Sequence, residues 1–116
     1  MKKDRKTLAK LANLKRATDA IGQADLARLA NATQQVAKLE AKIEMLRNQI
    51  LQPEGGSSAP DMLMVNARHR VWIERCLREL YAQNARARVE QEAARVRLAK
   101  SNGRTEAIKK LLRTKD

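Results

Sequence analysis

The sequence predicts an all-α protein, a long two-helix antiparallel coiled-coil hairpin, from three observations. Aromatic residues make up 2% of the 116 residues, with one Trp, one Tyr and no Phe. Six residues are Gly or Pro, and four of those six fall between Pro53 and Pro60. On either side of that cluster, apolar residues recur at alternating spacings of three and four. Sheet folds need β-branched and aromatic residues and frequent turns, and the chain has neither supply. Residues 1–116 therefore read as one helical hairpin.

The first helix is expected over residues 3–51, which hold no proline and are rich in Ala, Leu, Lys, Arg, Gln and Glu, the strongest helix formers. Its clearest stretch is Val36, Leu39, Ile43, Leu46 and Ile50, the a/d seam of a coiled coil. Upstream the phase is contested. Leu29 keeps this register, but continuing it puts Gly22 and Asp25 in the seam, whereas Leu11, Leu14, Thr18 and Ile21 form a seam of their own. An eleven-residue step from Thr18 to Leu29 joins the two, a stutter that locally unwinds the supercoil.

The loop is expected at 52–60, where two prolines, two glycines and two serines cannot continue a helix. The second helix follows over 61–114, with Asp61 as N-cap or Pro60 as its first residue. Ile73, Leu80, Ala87, Ala94, Ser101 and Ile108 repeat every seven residues, and Leu77, Asn84, Gln91, Leu98, Thr105 and Leu112 supply the partner position. Ahead of them Met62, Val65, His69, Trp72 and Cys76 form a seam offset by one, joined by a second eleven-residue step from His69 to Leu80. Each helix would be about 70 Å long at 1.5 Å per residue, and burial of its apolar stripe on the other is what stabilises it.

Folding the chain about Gly56 sets Ile50 against Met62, Ile43 against His69 and Leu39 against Trp72. The same rule brings Leu29 near Asn84, Asp25 near Ala87, Gly22 near Gln91 and Leu14 near Leu98. The middle of the hairpin is then small and partly polar, with Ala17, Ala20, Ala24, Ala32, Ala87 and Ala94 allowing close backbone approach. Less area is buried there, which makes it the least stable section.

Lys and Arg number 25 against 13 Asp and Glu, a net charge of +12. Residues 1–16 carry seven cations and one acid, and residues 100–116 carry six cations and two acids, so the excess sits where a hairpin joins its two ends. Such an end favours an acidic partner surface, the plainer alternative being solubilising decoration. The arginines of the second helix alternate with Glu74, Glu79, Glu90 and Glu92 and read as a solvated face, with pairs such as Glu74 with Arg78 and Glu90 with Arg86. Met45, Met62, Met64 and Trp72 cluster toward the loop, either as core or as an adaptable partner patch.

Catalytic chemistry is not expected. One His, one Cys and no Gly-rich phosphate loop cannot assemble an active site, and His69 with Cys76 supplies too few ligands for zinc. They read instead as seam residues beside Trp72. No cofactor and no small-molecule substrate is expected. A lone Cys76, no apolar signal segment and no apolar run of membrane-spanning length point to the cytoplasm, peripheral to a membrane at most. Non-specific nucleic-acid binding at low salt follows from charge alone, but no base-reading element is present.

Two long Ala/Arg/Glu-rich helices, a short break, and a C-terminal stretch running from Ala93-Ala94-Arg95-Val96-Arg97-Leu98-Ala99 through Glu106-Ala107-Ile108-Lys109-Lys110-Leu111-Leu112 resemble the small basic coiled-coil stalk proteins of type III export, the FliJ family. The resemblance is one of layout and spans the chain. It implies a stalk whose terminal end enters a hexameric export ATPase and links it to the export gate protein or to export chaperones, at the inner face of the membrane. Lys2, Lys3, Lys6, Lys10, Arg104, Lys109, Lys110 and Arg113 would then meet the ATPase, and Met62 and Trp72 the gate or a chaperone. The alternatives are a basic coiled-coil scaffold, a non-specific DNA-binding protein, or a homodimer in which a second hairpin completes a four-helix bundle.

Overall fold

The computed structural model describes residues 5–51 and 60–114, with side chains for 5–50 and 66–114. The fold is all-α: helix α1 spans Arg5–Leu51 and helix α2 spans Pro60–Arg113. Pro60 suits the first turn of α2, where its missing N–H would have no intrahelical partner. At the other end Lys110 and Arg113 lie in the last turn, where cations complement the helix dipole, and the Thr114 N–H donates to the Lys110 carbonyl at 3.1 Å.

Two compact units are distinguished: the first comprises Met1–Ala32 with Glu90–Asp116, the second Thr33–Val89. In each, a segment of α1 packs on a segment of α2. The second unit holds the apolar core. Val36, Leu39 and Ala87 form one cluster, and Ile43, Ile73 and Leu77 another, with Leu80 packed against both. Ile73 is the most enclosed side chain, 1% exposed. Glu40 and Arg88 bridge this pair of helices at 2.6 Å.

The first unit is enclosed differently. Its buried positions are Thr18, Asp25, Ala94, Ser101 and Ile108, three of them polar. Each polar group has a local solution. Thr18 Oγ1 donates back to the carbonyls of Leu14 (3.1 Å) and Lys15 (3.0 Å). Ser101 Oγ donates to the Asp25 carboxylate across the two helices.

These contacts correct the expected phase of α1. One enclosed row runs through Leu8, Leu11, Lys15, Thr18, Gly22, Asp25, Leu29, Ala32, Val36, Leu39, Ile43, Leu46 and Ile50, spaced by threes and fours without an eleven-residue step, with Ala12 and Asp19 half-buried beside it. Leu14 and Ile21, expected in the seam, are each 49% exposed. The stutter is unnecessary because the polar seam residues are hydrogen-bonded where they stand, so continuity of the heptad outweighs burial of two larger side chains. Written as heptads, Lys15, Gly22 and Leu29 are a positions, Thr18, Asp25 and Ala32 d positions. On α2, Asn84, Gln91 and Leu98 are a, and Ala87, Ala94 and Ser101 are d.

The offset seam ahead of Ile73 is likewise corrected. His69 and Trp72 are exposed and Cys76 is half-buried, while Ile73 begins the buried row. Ile50, one residue from the end of α1, already packs on the cluster containing Ile73. The preceding turns of α2, about 20 Å at 1.5 Å per residue, therefore have no α1 segment opposite, and described residues 66–72 include no buried side chain.

Pairing about Gly56 fails for the same reason. Ile43 meets Ile73 and Leu77 rather than His69, Leu39 clusters with Ala87 rather than Trp72, and Asp25 meets Ser101, two heptads beyond Ala87. A connection of eight residues can reach about 28 Å, so it permits this stagger, and the large apolar side chains select it. Expected contacts of Met62 fall outside the described side chains. Of the alanines expected at the close approach, Ala87 and Ala94 are buried, whereas Ala17, Ala20 and Ala24 are exposed.

Candidate functional site

The cations singled out by the sequence gather in the first unit. Lys6 and Lys10 stand on α1, and Arg104, Lys110 and Arg113 on α2, all exposed. None of these five pairs with a described carboxylate. Lys109 is half-buried and bridges Glu106 at 3.5 Å, one turn back along its own helix. Lys15 is similarly engaged with Asp19 at 2.9 Å. Lys2 and Lys3 lie outside the described residues.

Local sequence explains this exposure. In the first unit the described cations stand off the a and d positions, apart from Lys15, so packing pushes the side chains into solvent, and long Lys and Arg stems cover apolar surface without burying charge. The expected pairs of the arginine face are replaced by others: Glu74 bonds Arg70 at 3.3 Å rather than Arg78, and Glu92 bonds Arg95 at 3.1 Å. Such exposed pairs hold little stability, about 0.2–1 kcal/mol each. Among the described residues no three His, Cys, Asp or Glu side chains converge as metal ligands.

A second surface lies in the second unit, on α2 just before Ile73. Ala67, Arg68, Val71, Trp72 and Arg75 line a shallow depression along one helix face. Val71 is 47% and Trp72 55% exposed, and the Trp72 indole stacks on the His69 ring with centroids 5.8 Å apart and planes at 21°. Arg68 and Arg75 border the indole, so the surface combines exposed apolar and aromatic groups with cations. Met62, expected to share it, has no described side chain.

Leu14 and Ile21, which have seam spacing in the sequence, are surface residues. The signal was present as two overlapping phases one residue apart, of which only the one continuous with Val36 and Leu39 is buried.

These features define an antiparallel two-helix coiled-coil protein with a basic unit and a separate aromatic face. The chain matches no family model, no curated protein and no solved structure. No described helix is long and apolar enough to cross a membrane.

Proposed function

We propose that the protein is a non-enzymatic coiled-coil stalk or adaptor of a flagellar-type, type III protein export apparatus, docking its basic unit on the export ATPase and coupling it to the export gate or to export chaperones. The observation that carries this reading is the exposure of Lys6, Lys10, Arg104, Lys110 and Arg113 in one compact unit. Cations concentrated in one region steer association with an acidic surface and set its orientation. The Trp72 face supplies a chemically different contact for a second partner, and two long helices suit a part that connects two others.

The test is turnover of the export ATPase with and without this protein at physiological salt, where loose charge attraction is screened. Stimulation is expected, together with its loss in the Lys109→Glu, Lys110→Glu variant while helicity by circular dichroism is unchanged. Absence of both stimulation and co-sedimentation would reassign the protein as a basic scaffold or DNA-binding coiled coil.

A further inference from the structure

Leu14 and Ile21 are seven residues apart on α1 and half-exposed, at g positions directly beside the buried seam. Ala17 and Ala24, at the neighbouring c positions, are also exposed. The four run at spacings of three, four and three, which is the pattern a helix presents to another helix. Scattered apolar residues on a surface need no explanation. Two large ones at heptad spacing, separated by alanines that let a backbone approach, form a row of knobs about 15 Å long.

The charge along this flank is one-sided. In an antiparallel pair the g positions of both helices share a flank and the e positions share the other, as the e-position bridge Glu40 to Arg88 illustrates in the second unit. In the first unit, Arg28 of α1 and Arg97 and Arg104 of α2 hold g positions, with Lys10 and Lys100 at c; all five are exposed. The carboxylates of the unit stand elsewhere. Asp25 is in the seam, Asp19 is on the opposite flank beside Lys15, and Glu92 and Glu106 are on the outer face of α2. Among the described residues the exception is Glu90, at the unit's boundary.

We propose that this flank docks an acidic amphipathic helix of a partner protein, its apolar face on Leu14 and Ile21 and its carboxylates on the bordering cations. A second copy of this chain is the poorer occupant, because it would set arginines and lysines against their own kind. The inference does not rest on the export-apparatus reading, since it concerns the chemistry of the occupant and holds whichever assembly supplies it.

The probe is a synthetic helical peptide of about three heptads, with Leu and Ala on one face and Glu on the others, compared with a scrambled peptide of the same composition. Binding to the full chain is read by fluorescence anisotropy at about 150 mM salt. The patterned peptide should bind at least about tenfold more tightly than the scrambled one, and Leu14→Glu with Ile21→Glu should remove that advantage. Val96→Glu, on the outer face of α2, should leave it unchanged. Should the glutamate pair lower helicity, Leu14→Gln with Ile21→Gln takes its place. Equal binding of the scrambled peptide, survival of the advantage in the Leu14/Ile21 variant, or equal loss in the Val96 variant would each overturn the proposal. So would a dimer in sedimentation equilibrium that the Leu14/Ile21 variant disperses, which would assign the flank to a second copy.

Discussion

The two units share one heptad spacing and fill it with opposite chemistry. The second unit encloses Val36, Leu39, Ile43, Ile73, Leu77 and Ala87, and its 57 residues from Thr33 to Val89 carry nine cations against six acids. The first unit encloses Thr18, Asp25 and Ser101 beside Ala94 and Ile108, and carries sixteen cations against seven acids. Apolar burial is non-directional and scales with area, so the second unit is where cohesion concentrates. Buried polar pairs contribute less net stability and more discrimination between registers. The region with the weaker core is also the one with the larger excess of cations and the Leu14/Ile21 row, in keeping with the general tendency for binding elements to come from the less stable parts of a fold.

The strongest way to break this contrast is to empty the second unit. Ile73→Ala removes the most enclosed side chain and should cost about 2–5 kcal/mol in urea unfolding. A loss below about 1 kcal/mol would mean that the second unit is not the anchor. Next comes the polar pair of the first unit. Ser101→Ala leaves the Asp25 carboxylate enclosed without its hydroxyl donor and should cost about 1–3 kcal/mol, whereas Asp25→Leu combined with Ser101→Leu should be neutral or stabilising in the same measurement. If the double variant were as unstable as the single one, the pair would be contributing net stability rather than register.

A third substitution sharpens the comparison from the opposite side. Among the described residues, Asn84 Oδ1 is buried with no hydrogen-bond partner, a polar defect within the apolar unit. Asn84→Leu should raise stability by about 1 kcal/mol, seen as a higher midpoint in thermal unfolding. A polar a position can also specify pairing, so sedimentation of this variant should reveal any new self-association. The smallest effect is expected at Gly22, an a position where an added Cβ would meet nothing within 4 Å. Gly22→Ala should stabilise by about 0.5–1 kcal/mol through helix propensity; a destabilisation would show that the two helices approach more closely there.

Much of the fold was legible because coiled coils write their packing into a local repeat. The row Ile73, Ala87, Ala94, Ser101 and Ile108 is buried as the seven-residue spacing predicts, and so is Val36, Leu39 and Ile43. The candidate site was legible in part. Cations could be counted by segment, and Lys6, Lys10, Arg104, Lys110 and Arg113 do share a unit, but the Leu14/Ile21 flank was hidden because the more apolar of the two phases there is the one left outside the seam. Trp72 was misplaced for a related reason: a large aromatic residue at seam spacing looks buried until it is known where the opposite helix stops.

What the sequence alone determined is the helical state of both segments and the phase of residues 36–50 and 73–108, since helix propensity and a 3.5-residue repeat act over a few turns. Tertiary structure decided the rest. Which of two phases carries residues 11–25 depended on whether Asp25 would find Ser101, and the stagger of α1 against α2 depended on Ile43 finding Ile73 and Leu77. Both are contacts between residues far apart in the chain, which no local repeat can specify, so only packing across the two helices could choose.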